Sequence, residues 1–215
     1  MSNLQDTIET MAPETTGFSL GDYKPREERT DFEEGVWYRG TIAERLEQPF
    51  EMTTREAPVR DPNKTTRNVF IAATVRNKDG RTRNLSGLFN YNPADLNATR
   101  KAAVDAAVAE AKTAYAAAKE AYTTANGGSS KGFTRKFSEF LSKDVQTTQF
   151  TYRKIGSLVA IAPTFSPTPN GTGGLDVAPL IGVDADFLLE TDDKGYLRIA
   201  EVAPVGTHKS TRDIK

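Results

Sequence analysis

The stretch RNVFIAATVRNKDGRTRNLSGLFNYNP, from Arg67 to Pro93, constrains the fold more than any other part of the chain. Val69, Ile71, Ala73 and Val75 alternate with Phe70, Thr74 and Arg76. That period of two belongs to a strand with one buried face. Asp79-Gly80 follows, and such a pair suits the tight turn of a hairpin, whose central positions need positive φ. Residues 81–91 return as a second strand of less regular alternation, and Asn92-Pro93 opens a helix.

The segments on either side extend this pattern. In GVWYRGTIAERL, Val36, Tyr38, Ile42 and Leu46 share one parity. Trp37, Arg39, Thr41 and Arg45 share the other, which predicts a further half-buried strand. About 20 residues without a period, EQPFEMTTREAPVRDPNKTT, read as a long loop of the functional or the disordered kind. After Pro93, Leu96, Val104, Val108, Tyr115 and Tyr122 form one stripe of a long alanine-rich helix, stopped by Asn126-Gly127-Gly128. Its stripe reads as packing, and assembly into homo-oligomers stays open. A short helix follows, with Phe133, Phe137, Phe140 and Leu141 on one side, read as a lid on the sheet. QFTYRKIGSLVAIAP, from Gln149, reads as a fourth strand, and residues 184–205 as a closing hairpin that turns at Asp-Lys-Gly.

These elements predict a mainly β chain with an α insertion: a five-stranded Greek-key barrel of OB type, with a long and a short helix between strands three and four. Residues 1–31 read as an acidic, flexible arm, 32–205 as the domain with its helical insertion at 93–143, and 206–215 as a flexible tail.

Composition removes several classes of chemistry. The absence of cysteine excludes disulfides, zinc ribbons, iron–sulfur centres and thiol nucleophiles. His208 is the only histidine, so a Ser-His-Asp triad would have to use it, and it reads as a solvated tail residue. GTGGLD (171–176) lacks the glycine spacing of a dinucleotide loop, and TDDKGY (191–196) reads as a turn rather than a calcium loop. No enzyme, cofactor or metal is expected. No apolar run approaches the roughly 20 residues of a membrane span, and the N-terminus lacks a signal pattern. A cytoplasm is therefore the expected location, the host's if the chain is phage-encoded.

The net charge of −1 conceals a segregation. Residues 1–34 hold nine Asp/Glu and three Lys/Arg, whereas residues 53–83 hold eight Lys/Arg against Glu56, Asp61 and Asp79. A basic hairpin with interleaved aromatics suits a single-stranded nucleic acid, whose bases stack on rings while Lys and Arg follow the phosphates. Trp37, Phe70 and Tyr152 are the candidate stackers, with Trp37 reading equally as core. Arg39, Arg67, Arg76, Lys78, Arg81, Arg83 and Arg153 are the candidate phosphate contacts, and Lys64 a loop clamp.

GVWYRGTIAERLE, NVFIAATVRNKDGRTRNLSGLFNYN and the terminal GYLRIAEVAPV together resemble the phage-encoded OB-fold single-stranded-DNA-binding proteins. The resemblance spans roughly residues 32–92 and 149–204 and rests on strand order. It implies coating of exposed single strands during replication or recombination. The helical region is longer than that family's, and the acidic stretch lies at the N-terminus rather than the C-terminus, where it would compete with DNA or dock partner proteins. RNA stays open beside DNA. The competing expectation is a non-enzymatic phage structural or assembly protein, a capsid-decoration or tail component.

Overall fold

A computed structural model describes residues 31–47, 51–59, 61 and 64–208. Eight strands and two α-helices succeed one another as β1 (Trp37–Ala43), β2 (Arg45–Leu46), β3 (Met52–Thr53), β4 (Arg55–Pro58), β5 (Arg67–Arg76), β6 (Thr82–Tyr91), α1 (Ala98–Ala125), α2 (Lys143–Ile161), β7 (Asp184–Thr191) and β8 (Leu197–Ala203). Six strands make one antiparallel sheet and β2–β3 form a separate two-stranded ribbon. In the large sheet β5 is central. Its one edge pairs with β6 along its whole length, and its other edge pairs with β1 at Ala72–Arg76 and with β4 at Arg67–Phe70. On its far side β1 continues to β7, and β7 to β8.

The expected hairpin at Asp79-Gly80 forms, with Gly80 at φ +77 and the Asn77 side chain accepting from the amides of Asp79 and Arg81. The odd positions of β5 and β6 then point one way. Val69, Ile71, Ala73, Val75, Leu85, Phe89 and Tyr91 are all buried. They meet Tyr38 and Ile42 of β1, Phe187 and Leu189 of β7, and Ile199 and Val202 of β8 in a single core. Each large apolar side chain removed from water contributes about 1.5–3 kcal/mol.

The five-stranded OB-like barrel is overturned. Residues 149–161, read as strand four, belong to α2, which Ser142 caps by accepting from the Val145 amide. Its buried positions, Thr148, Thr151, Ile155, Leu158 and Ile161, follow the helical period. Two of these five are hydroxyl residues, so an apolar count along the sequence misses the stripe. The presumed structureless loop after β1 contains β2, β3 and β4. Thr54 closes the gap between β1 and β4: its buried hydroxyl donates to the Ala43 carbonyl at 2.6 Å and accepts from the Ala72 amide at 3.0 Å. The sheet curls until β6 and β8 approach at Gly87 and Ile199, but among the described residues no ladder joins them and the sheet stays open.

The helical region also differs from its expected bounds of 93–143. Asn92 caps a 3-10 turn at Pro93–Leu96, and Asn97 caps α1 afresh. At 1.5 Å per residue α1 is about 42 Å long, yet only Val104 and Ala111 within it are buried. Residues 127–142 fold back along its C-terminal half. There the Tyr115 ring takes edge-on contacts from Phe133, Phe137 and Phe140 at 5.6–5.9 Å. The expected lid therefore packs on α1, while α2 covers the sheet. Residues 1–30 and 209–215, which hold most of the expected arm and tail, lie outside the described residues.

Candidate nucleic-acid interface

With the odd positions of β5 and β6 committed to the core, the even ones build an outer face. Its rows follow the register: Arg76 beside Thr82, Thr74 beside Asn84, Ala72 beside Ser86, Phe70 beside Leu88, and Asn68 beside Asn90. None of these ten side chains is a carboxylate, five coming from each strand. Leu88, on the edge strand β6, is 54% exposed. Arg55 of β4 is the register partner of Phe70, and its guanidinium carbon lies 6.0 Å from the ring centroid. At the other end Arg39 of β1 pairs in register with Arg76. There a cavity of about 370 Å³ opens among Arg39, Thr41, Thr74, Arg76, Thr82 and Asp184. Between the Phe70 row and the Arg76 row lie about 20 Å of strand.

The nominated residues divide sharply. Phe70 and Arg76 stand on this face, and Lys78 is exposed at the turn that ends it. Arg76 and Lys78 form no ion pair among the described residues. Lys64 is exposed in the β4–β5 loop. Arg39 is on the face too but binds Asp186, whose side chain is fully buried, at 3.3 Å. Arg83 shares the inward parity of Leu85 and Phe89 and is half-buried, because strand register at β6 is one residue from that assumed. Arg81 is bound to Asp31 at 2.7 Å, and Arg153 to Glu201 at 3.2 Å. Tyr152 belongs to α2, where its hydroxyl donates to the Asp95 carbonyl at 2.7 Å, away from the sheet's outer face. Trp37 points outward from β1 yet is only 9% exposed, lying flat against His208. His208 is thus packed rather than solvated.

Arg67 is the clearest reassignment. Its guanidinium engages Glu56 through Nε and, at 2.8 Å, through Nη2, and reaches the Thr172 carbonyl at 3.1 Å. The Tyr91 hydroxyl shares its proton between Glu56 Oε1 at 2.9 Å and the Gly173 carbonyl at 3.2 Å. Burial and the Glu56 carboxylate raise the Tyr91 pKa, and the hydrogen bond to Glu56 raises that of Arg67. This cluster clamps the 170–174 loop to the sheet. Gly173, at φ +81, lets the loop make that turn.

Arg55 and Leu88 are the members that sequence reasoning missed. Arg55 sits within the stretch read as loop, and Leu88 is identifiable only once the parity of β6 is known. Outside the face, Lys154 is half-buried against the Phe89 ring and donates to the Ala200 carbonyl; desolvation lowers its pKa. Among the described residues no group of His, Cys, Asp and Glu side chains could hold a metal ion, and no helix is long and apolar enough to cross a membrane. Comparison with known proteins finds no matching family, no matching curated protein and no matching solved structure.

Proposed function

We propose that this chain binds single-stranded DNA without sequence preference, as a non-catalytic coat protein of replication or recombination of the phage type. The carboxylate-free outer face of β5 and β6 carries the reading. Its apolar pair, the half-buried Phe70 and the exposed Leu88, offers apolar contact to unpaired bases. Arg55, Arg76 and Lys78 offer charge to phosphates at both ends, and the Asn, Ser and Thr side chains between them offer neutral hydrogen bonds. Base stacking on an aromatic ring such as that of Phe70 contributes about 1–3 kcal/mol and tolerates any sequence. Its working place is the cytoplasm, that of the host for a phage-encoded chain. The acidic residues 1–31 are the segment proposed to recruit replication or recombination proteins.

The test is fluorescence anisotropy of a labelled dT oligonucleotide at low and moderate salt, with duplex DNA and a U-rich RNA as competitors. Tight binding that weakens steeply with salt, and that duplex fails to compete, supports the reading, because each neutralised phosphate releases counterions. Competition by the RNA at equal concentration would widen the ligand to both nucleic acids. Absence of binding at low salt overturns it in favour of an assembly component, for which a salt-insensitive oligomeric mass is the expected result.

A further inference from the structure

We infer that Trp37 is a base-stacking subsite of this interface whose place is held, in the free protein, by the imidazole of His208. The inference rests on the single-strand reading above and extends that site from β5 and β6 onto β1.

The location of Trp37 is the first support. Tyr38 and Ile42 take the inward positions of β1, so Trp37, Arg39 and Thr41 stand on the outer side. The core therefore does not account for the burial of Trp37. The imidazole of His208 lies flat on the indole, with ring centroids 3.7 Å apart and planes inclined by 9°. Aromatic side chains prefer offset or edge-on contacts. A parallel stack at this spacing is the arrangement that two nucleobases adopt. A flat heteroaromatic ring with nitrogens on its edge thus already occupies the indole in the way a pyrimidine would.

The surroundings supply the second support. Arg39, two residues along β1, is the register partner of Arg76, the outermost cation of the β5 row. A strand held over Phe70 and Leu88 and past Arg76 would next meet Arg39 and then Trp37. The segment that carries His208 is tethered close by, since the Gly206 amide donates to Asp186 Oδ2 at 2.8 Å, and Asp186 also holds Arg39. Exchange of imidazole for base replaces the stack on Trp37 with a larger one, and the Gly206 bond to Asp186 lies outside that exchange. The ligand class is an unpaired nucleobase, because a base within a duplex has both faces covered by its stacked neighbours.

Trp37 is the only tryptophan, so its emission reports this subsite alone. The full-length wild type, His208→Ala and His208→Phe are compared in three measurements: acrylamide quenching of the free proteins, tryptophan emission during titration with unlabelled dT oligonucleotide, and anisotropy of the labelled oligonucleotide. His208→Ala is expected to be more open to acrylamide and to bind about two- to tenfold tighter, with strong quenching of Trp37 by the oligonucleotide. His208→Phe keeps the cover and is expected to behave as the wild type. Equal affinity of all three, with tryptophan emission unchanged at saturation, overturns the subsite while the single-strand reading stands. An anisotropy that stays flat for all three proteins overturns both.

Discussion

Gly87 of β6 lies against Ile199 of β8 so closely that a Cβ added to it would sit 2.8 Å from the Ile199 Cβ, and nearer still to the Ile199 carbonyl oxygen. The two strands are the free edges of the curled sheet, and the missing side chain is what lets them meet. Gly87→Ala is expected to lower stability by about 1–3 kcal/mol, the cost of overpacking against backbone that has nowhere to move. A drop in the midpoint of chemical unfolding checks it. An unchanged midpoint would mean that the edges have room to part.

The Arg67–Glu56 pair predicts a second asymmetry. Its side chains are only 20% and 12% exposed. Arg67→Met should cost about 2–3 kcal/mol, because it strands the Glu56 carboxylate. Arg67→Met combined with Glu56→Leu should recover part of that loss, since neither charge is then left alone. A denaturant series on Arg67→Met, Glu56→Leu and the double variant decides between this and simple additivity.

Tyr91 links the same cluster to pH. Its folded pKa is raised by burial and by Glu56, while the unfolded chain ionises near the ordinary tyrosine value of about 10. The folded state therefore holds the proton more tightly. Its contribution is complete below about pH 10 and is lost as the pH climbs toward the folded value. Tyr91→Phe should flatten the fall of stability above about pH 10, read from melting temperatures across an alkaline series.

On the interface, Phe70→Ala should weaken oligonucleotide binding by about 1–3 kcal/mol. Arg76→Ala should lower the salt slope of binding by about one. Arg81→Ala serves as the contrast: Arg81 is already bound to Asp31, so the slope should change less. Equal effects at Arg76 and Arg81 would place the phosphates at the hairpin tip rather than along the sheet.

Tyr115→Ala should loosen residues 127–142 without unfolding the sheet, because its ring is the common contact of Phe133, Phe137 and Phe140. Faster trypsin cleavage after Lys131, Arg135 and Lys136, at an unchanged global melting temperature, is the expected pattern.

The β5–β6 hairpin is legible in the sequence because alternation and the Asp-Gly turn are local properties. The same is true of the stop of α1 at Asn126-Gly127-Gly128, whereas the cap expected at Asn92 serves a 3-10 turn and Asn97 opens α1. α2 is hidden because Thr148 and Thr151 fill buried positions, and Thr148 is satisfied from afar: its hydroxyl donates to Asp95 and accepts from Arg100. The interface is half legible for a related reason. Parity assigns Phe70 and Arg76 to a face, but no periodicity tells that Arg39, Arg67, Arg81 and Arg153 meet Asp186, Glu56, Asp31 and Glu201. Each of those carboxylates comes from another element, so the positive charge of the segment overstates the charge it can offer a ligand.

The Thr54 hydroxyl, which bonds to both Ala43 and Ala72, has a consequence for how the molecule can vary. That hydroxyl ties the end of β1 to β5 at the start of β4, while the ladder of the β2–β3 ribbon is separate from the large sheet. The β2–β3 ribbon could be shortened, lengthened or exchanged while β1, β4 and β5 keep their register. The fold thus keeps its rigid floor separate from a rim that new specificities could remodel.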